Sequence, residues 1–175
     1  NDGTRLYVTG FSGNIHQSSL STPFDIGSAS LQKSINAQDD FPEGITFKPD
    51  GTQLYEAHFD QLFQSSLSTP FDIGSSSFEK SFTTPDDSRR GVAFNANGTK
   101  MYDTGSGPAL INQFSLSTPF DIGTASFEKS IDNQDQSSSG GITFNPTGTR
   151  LYEAGQGEDK IYQSEVGLPI RWETI

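Results

Sequence analysis

A twelve-residue block that recurs along the chain constrains its fold more than any other feature. It reads Gly-Ile-Thr-Phe-Lys-Pro-Asp-Gly-Thr-Gln-Leu-Tyr at 44–55 and returns at 91–102 and 141–152, and the chain opens on the tail of a fourth copy. The glycines of its Gly-Thr pair are 48, 47 and 50 residues apart, at Gly3, Gly51, Gly98 and Gly148. A steady period of this length indicates a repeat architecture.

A second block keeps the same period. The sequence Ser-Leu-Ser-Thr-Pro-Phe-Asp-Ile-Gly occurs at 19–27, 66–74 and 115–123, and a degraded copy lies at 166–170. Because two separate blocks recur in step, the period belongs to a structural unit and not to one motif.

Within one repeat the pattern predicts four short strands, called A to D in chain order. Strand A is closed by Lys-Pro-Asp-Gly-Thr, which is typical of a tight hairpin turn. On strand B, Leu54 and Tyr55 are neighbours and therefore point to opposite faces, so both faces of the sheet are expected to be buried. Strands A to D of the second repeat are expected at 44–47, 53–57, 62–67 and 78–82.

Four antiparallel strands at this period are typical of a β-propeller blade, so the fold class is all-β. The chain divides into a partial blade at 1–40, whole blades at 41–87 and 88–136, and a partial blade at 137–175. The closing Arg-Trp-Glu-Thr-Ile does not match strand D in phase, so only strands A to C are expected in the last blade. Three arrangements remain open: a four-bladed ring with two incomplete blades, a larger ring completed by several chains, or an excerpt of a longer array.

Composition and charge argue against several partners. The chain has 22 acidic and 11 basic residues, a net charge of −11, and its only adjacent basic pair is Arg89 and Arg90. Nucleic-acid binding draws on clustered Lys and Arg, so no nucleic-acid partner is expected. No apolar run reaches transmembrane length, so membrane insertion is not expected either. The absence of cysteine excludes disulfides and thiolate chemistry.

The paired motifs, Asp-Gly-Thr followed by Leu-Tyr or Met-Tyr and then Leu-Ser-Thr-Pro-Phe-Asp-Ile, resemble a repeat family found in marine phage and bacterial sequences. More distantly, the chain resembles lactonase-like and NHL-type propellers. The resemblance implies a propeller in a large extracellular, cell-surface or virion-associated protein. It covers nearly the whole chain, but the wider group includes hydrolases, lyases and binding modules, so it leaves the activity open.

One position departs from the pattern of these repeats. The residue after the tyrosine that ends the recurring block is typically Val in such repeats. Here it is Val8 in the first copy and then Glu56, Asp103 and Glu153. If the blades are arranged radially, the three acids occupy like positions around the axis. Carboxylates held together attract a hard cation such as Ca²⁺. The alternative is structural, with each acid accepting hydrogen bonds or facing solvent; no cofactor other than this possible Ca²⁺ is expected.

The connections between strands B and C vary most between the repeats. An invariant scaffold with variable loops is typical of a binding surface, and exposed aromatic side chains can stack on sugar rings. The alternative is that these polar loops are only solvated. The candidate ligand-binding residues in and beside these loops are Phe11, Asn14, His58, Phe59, Asp60, Glu158 and Asp159.

Glutamine recurs at one position of strand C. Four copies of one residue argue for structure, since a single active site needs no copies, so a hydrogen bond between neighbouring blades is expected. The recurring Phe and Ile of the second block are expected to pack under the blades. The glutamines are Gln17, Gln64, Gln113 and Gln163.

Catalysis has little support in the sequence. His16 and His58 are the only histidines, and neither has a repeated carboxylate or nucleophile partner. The first hypothesis is therefore a non-enzymatic repeat module for assembly or attachment, which self-associates through completed blades or open strand edges. The alternatives are a carbohydrate-binding propeller with a glycan ligand and a metal-dependent lactonase-like or lyase-like enzyme.

Overall fold

The computed structural model describes residues 2–10, 12–83, 89–105, 110–133, 139–155, 159–166 and 172–174. These residues form four antiparallel sheets that follow one another along the chain, the first with three strands and the others with four. The predicted all-β propeller is confirmed. Among the described residues, no helix has the length and apolar character needed to cross a membrane.

In the first and second sheets the strands are hydrogen-bonded in chain order. The first consists of β1 (Arg5–Gly10), β2 (Asn14–Leu20) and β3 (Ala29–Asn36). The second consists of β4 (Gly44–Phe47), β5 (Gln53–Ala57), β6 (Gln61–Leu67) and β7 (Ser76–Thr83).

The third and fourth sheets repeat the order of the second. The third consists of β8 (Arg89–Phe94), β9 (Lys100–Gly105), β10 (Leu110–Leu116) and β11 (Ala125–Asp132). The fourth consists of β12 (Ser139–Phe144), β13 (Arg150–Gly155), β14 (Ile161–Glu165) and β15 (Trp172–Thr174). The sequence predicts three strands for this last sheet, and the structure adds a fourth of three residues. Its pairing with β14 needs only backbone hydrogen bonds, so it does not require the Phe-Glu-Lys-Ser pattern of the other outer strands.

Both faces of an inner blade are buried, as the strand-B pattern predicts. Leu54 packs with Ile15 and Ile73 between the first and second blades. Tyr55, its neighbour, packs with Met101 and Ile122 between the second and third blades. The alternation of a strand thus sends adjacent apolar residues into two different cores.

The two repeated blocks meet within one blade. Gly51 closes the A–B hairpin with φ of 73°, and the Phe71 ring lies against it, where a β-carbon on Gly51 would overlap the ring. Phe71 is itself left-handed, with φ of 60°, and its amide donates to the Gly51 carbonyl at 2.9 Å. Phe24, Phe71 and Phe120 all lie on the hairpin glycines, a contact that the sequence did not predict. Phe120 also packs against the hydrophobic core between the second and third blades, as expected for these phenylalanines.

A 3₁₀ turn follows each of these phenylalanines, which the sequence did not predict. The Asp72 carboxylate accepts a hydrogen bond from the Gly74 amide at 2.9 Å and so caps the turn Ile73–Ser75. The same cap recurs at Ile26–Ser28 and Ile122–Thr124. We call the Thr-Pro-Phe-Asp-Ile-Gly segment that contains this turn the docking loop; its copies are 22–27, 69–74 and 118–123.

Candidate functional site

The three acids that follow the repeat tyrosine are almost completely buried. Glu56 and Asp103 are each 1% exposed and Glu153 is 0% exposed, whereas Val8 at the equivalent place in the first blade is 47% exposed. Buried carboxylates require hydrogen-bond partners because desolvation is costly. The partners of each acid therefore decide between the metal hypothesis and the structural one.

Glu56 is held by the connection that leads into its own blade and by the loop that follows its strand. Its Oε2 accepts a hydrogen bond from the backbone amide of Gln38 at 3.0 Å and lies 3.3 Å from Nε2 of His58. The other ring nitrogen of His58, Nδ1, lies 3.3 Å from the Asp40 carbonyl. The His58 ring also meets Phe63 edge-on, with centroids 5.0 Å apart. Glu56 and His58 thus form a buried carboxylate–imidazole pair.

Asp103 takes part in a chain of polar side chains across its sheet. Asn112 donates from Nδ2 to Oδ1 of Asp103 at 2.9 Å, and the Ser130 hydroxyl donates to Oδ1 of Asn112 at 2.6 Å. These residues lie on adjacent strands of one blade. In the fourth blade Glu153 lies opposite Tyr162 in register. Strand neighbours thus supply polar partners to an acid that no solvent reaches.

Within the described ranges, no three His, Asp or Glu side chains lie together as a group that could hold a metal ion. The structure brings Glu56 together with His58 and gives Asp103 its own partners in its own blade. Ca²⁺ binding at the ring of acids therefore stays a prediction.

The candidate ligand-binding residues divide between exposed and structural positions. Phe59 is 58% exposed and Asp60 beside it is exposed, whereas His58 is buried. Asn14 begins β2 and donates to the Ser12 carbonyl at 3.0 Å, so it closes its own turn. Asp159 is exposed with φ of 53°. Phe11 and Glu158 lie outside the described residues.

The most regular polar site is the junction between successive blades. At the first junction, the Tyr7 hydroxyl donates to the Phe71 carbonyl at 2.6 Å. Gln17 accepts from the Ile73 amide through Oε1 at 3.0 Å, and Lys33 pairs with Asp72 at 2.6 Å. Three side chains of one blade thus bind the docking loop of the next through two hydrogen bonds and one ion pair.

The second junction repeats these contacts one blade further on. The Tyr55 hydroxyl donates to the Phe120 carbonyl at 2.6 Å, and Gln64 accepts from the Ile122 amide at 3.1 Å. Lys80 pairs with Asp121 at 2.7 Å. The inter-blade hydrogen bond predicted for the recurring glutamine is confirmed at Gln17 and Gln64.

The junction lowers the pKa of its aspartate and raises the pKa of its tyrosine. Hydrogen bonding from Lys33 lowers the pKa of Asp72, and hydrogen bonding from Lys80 lowers the pKa of Asp121. Burial raises the pKa of Tyr7 and of Tyr55. At neutral pH both junctions therefore hold an ionised aspartate and a protonated tyrosine, the forms that make these contacts.

Sequence reasoning missed the lysine, the tyrosine and the arginine of the junction. A signal for the ion pair was available, because Lys33 and Lys80 recur with the same period as Asp72 and Asp121. Arg5 donates to the carbonyls of Pro70 and Phe71 at 3.1 and 2.9 Å. Only Arg150 is an arginine at the same position of another repeat, so recurrence gave a weaker signal for this residue.

The docking loop of the first blade is not covered by any of the residues that the structure describes. Ile73 and Ile122 are 0% exposed in their junctions, whereas Ile26 is 74% exposed and Phe24 is equally exposed. At the other end, Ile161 of β14 is 52% exposed, while its equivalent Leu62 is 0% exposed. The first and last blades thus each expose an apolar side chain whose equivalents are buried at the internal junctions.

Searches against protein-family models and curated protein sequences find no match. Solved structures with the same fold include a protein from Lactobacillus plantarum, with a TM-score of 0.65 and 14% identity over 98% of this chain and 53% of that one. A putative 6-phosphogluconolactonase from Bacteroides uniformis has a TM-score of 0.66 and 16% identity over 99% of this chain and 54% of that one. The chain thus has a lactonase-like propeller fold and spans about half the length of these two structures.

Proposed function

We propose that this chain is a non-enzymatic propeller module of an extracellular, cell-surface or virion-associated structure, and that it works by assembling with further copies of itself. One observation carries the proposal: the docking loop of the first blade is exposed although its equivalents are buried. Ile26 is 74% exposed where Ile73 and Ile122 are 0% exposed. An exposed apolar side chain on a face that is otherwise an interface marks a protein-binding surface.

Apolar burial and hydrogen bonds stabilise the two internal junctions. Each buries an isoleucine, and burying such a side chain contributes about 1.5–3 kcal/mol. At each junction the tyrosine and the glutamine make one hydrogen bond apiece with the backbone of the loop, each worth about 0.5–1.5 kcal/mol, and Arg5 adds two more at the first junction. The free loop offers the same groups to a partner, and these contacts would offset part of the roughly 4–15 kcal/mol that association costs in lost translational and rotational freedom.

The proposal predicts that Ile26→Asp abolishes assembly. The wild-type chain is expected to give a particle larger than one copy by light scattering during size-exclusion chromatography, and the variant a monomer with unchanged circular dichroism. Phe59→Asp is the matched control, since Phe59 is also exposed but lies on a B–C loop, and it should assemble normally. A wild-type chain that stays monomeric at every concentration would refute the proposal.

A second candidate function is the binding of a sugar at the loop after β5, as a lectin ligand or as a lactone substrate. Phe59 is 58% exposed there and follows His58, which forms a buried pair with Glu56. An exposed aromatic ring can stack on a sugar, and buried carboxylate–imidazole pairs occur in sites for acid–base chemistry. Carboxylate oxygens are also the ligands that Ca²⁺ prefers. The similarity to a putative 6-phosphogluconolactonase supports this candidate through the fold alone.

This second function predicts a glycan-array signal that Phe59→Ala removes and Phe78→Ala retains, because Phe78 is 51% exposed on an outer strand away from that loop. For the enzymatic form, Glu56→Gln should abolish lactone hydrolysis while keeping the volume of the side chain. No glycan signal with or without Ca²⁺, together with no hydrolysis and no bound metal by elemental analysis, would eliminate it.

A further inference from the structure

We propose that Asn97, in the A–B hairpin turn of the third blade, is a site of spontaneous deamidation whose rate is set by the docking loop of the same blade. This inference goes beyond the proposed function, because it concerns one turn and not a contact between copies. Asn97-Gly98 is the only Asn-Gly pair in the sequence, and Asn97 is exposed. A glycine at the next position has no side chain to hinder attack by its backbone nitrogen.

The reaction joins two neighbouring groups of this turn. The backbone nitrogen of Gly98 gives up its proton to solvent base and attacks Cγ of Asn97. The Cγ–Nδ2 bond then breaks, and ammonia leaves with a proton taken from water. A second water opens the cyclic imide at Cγ, which gives aspartate, or at the main-chain carbonyl carbon, which gives isoaspartate. The amide is thus exchanged for an acid at the expense of water, and neither an oxidant nor a reductant is needed.

The folded turn keeps the attacking nitrogen from reacting. The Gly98 amide donates to the Asn95 carbonyl at 3.0 Å, so its proton is engaged. The Phe120 ring lies against the buried Gly98, and the Phe120 amide donates to the Gly98 carbonyl at 2.9 Å. Attack therefore requires the turn to open, and the contact with the docking loop opposes that opening.

The aspartate product is the residue that the same turn carries in another blade. Asp50, the equivalent of Asn97, accepts through Oδ1 from the amide and the hydroxyl of Thr52, at 2.9 and 2.6 Å. Oδ1 of Asn97 accepts from the same two groups of Thr99, at 3.2 and 2.7 Å. A carboxylate at position 97 thus finds both donors in place, and hydrogen bonds to a carboxylate are stronger than those to an amide oxygen.

The two turns with an acid show that these donors stabilise the charged form. Hydrogen bonds from the hydroxyl and the amide of Thr4 lower the pKa of Asp2. In the second blade a hydrogen bond from Lys48, together with those of the equivalent threonine, lowers the pKa of Asp50 to about 2. The third blade has Asn95 in place of Lys48, so Asp2 is the closer guide to the deamidated turn.

The two products of deamidation differ in how they fit the turn. Isoaspartate places one more carbon in the main chain between the Asn95 carbonyl and the Gly98 amide, whose hydrogen bond closes the turn. Aspartate leaves the main chain unchanged. The aspartate product therefore completes the Asp-Gly-Thr turn of the first two repeats, whereas the isoaspartate product destabilises the third blade.

Peptide mapping of the purified chain tests the site. After incubation in mildly alkaline buffer made with heavy-oxygen water, digestion by trypsin in ordinary water releases residues 91–100 as one peptide. Tandem mass spectrometry should locate heavy oxygen at position 97 and none at Asn95, because the β-carbon of Ala96 hinders the same attack there. Asn97→Gln should abolish the signal. Equal labelling at both positions, or labelling at neither, overturns the proposal.

Two matched variants test control by the docking loop. Phe120→Ala should raise the rate of deamidation at Asn97 at least several-fold, toward the rate of the chain unfolded in urea. Phe71→Ala removes the same ring from the second blade and should leave the rate at Asn97 unchanged. If Phe120→Ala unfolds, Phe120→Leu replaces it and should give a smaller increase. Equal rates in the wild type, the Phe120 variant and urea overturn control by the loop.

The fit of the product is tested by substitution. Asn97→Asp should lower the equilibrium constant for unfolding by about two- to tenfold, since two hydrogen bonds become charge-assisted. Asn95→Asp is the matched control in the same turn and should not stabilise the chain, because Nδ2 of Asn95 donates to the Thr99 hydroxyl at 3.2 Å and a carboxylate has no such donor. Urea denaturation measures both variants. An Asn97→Asp chain less stable than the wild type overturns the proposed fit.

Discussion

Gly98→Ala is expected to lower the free energy of unfolding by about 2–5 kcal/mol. Gly98 has φ of 71°, and a non-glycine residue in this region costs about 1–2 kcal/mol. A β-carbon there would also overlap the ring of Phe120, which the docking loop holds in place, and such overpacking costs about 1–3 kcal/mol more. Urea denaturation with matched slopes measures the total.

The fourth repeat supplies a control for the cost of placing a non-glycine residue at positive φ. Gly148 has φ of 68°, but the nearest atoms to an added β-carbon belong to Ala96 at 3.8 Å. Gly148→Ala should therefore cost only the backbone term, about 1–2 kcal/mol. In a Phe120→Ala background the cost of Gly98→Ala should fall to the same level, because the overlapping ring is gone. Equal costs for Gly98→Ala and Gly148→Ala in the wild type would show that the ring does not matter.

The second large effect is expected at the isoleucine of the docking loop. Ile122→Ala should cost about 2–5 kcal/mol, since Ile122 is 0% exposed between the second and third blades and its truncation leaves a cavity. For a domain of this size each kcal/mol lowers the melting temperature by about 2–4 °C. Thermal unfolding followed by circular dichroism at low protein concentration measures the shift.

Ile26→Ala is the matched control, because Ile26 has the same loop around it and is 74% exposed. Below the concentration at which copies associate, its effect should stay within about 0.5 kcal/mol, as at other exposed positions. Its cost should grow with protein concentration if a partner covers it. A large cost for Ile26→Ala in the monomer would mean that the isoleucine stabilises its own loop and not the junction.

Much of the fold follows from local patterns in the sequence. Strand A, strand B and their hairpin lie where alternation and turn chemistry place them, and the role of Gln17 and Gln64 follows from recurrence alone. The short strand β15 could not be predicted, because Trp172–Thr174 carries no outer-strand pattern and joins the sheet through its backbone. The contact of the phenylalanines with the hairpin glycines could not be predicted, because nothing in their spacing shows that the second block folds back onto the hairpin.

The candidate site was harder to predict than the fold. Acids recur after the repeat tyrosine, but whether a buried carboxylate binds a metal or a neighbour depends on which groups surround it. Glu56 has His58 and the Gln38 amide, and Asp103 has Asn112. These contacts depend on distances between strands and loops that spacing does not encode.

Sequence alone establishes the period, the strands, the all-β class and the residues that every blade shares, because repetition makes local propensities reinforce one another. The tertiary structure decides which copy of a shared residue is buried between blades and which is exposed. Ile26, Ile73 and Ile122 are the same residue in the same motif, yet two are buried and one is exposed. The reason is physical: an isoleucine of this motif is buried only where the face of another blade covers its loop, and none of the described residues covers the loop of Ile26.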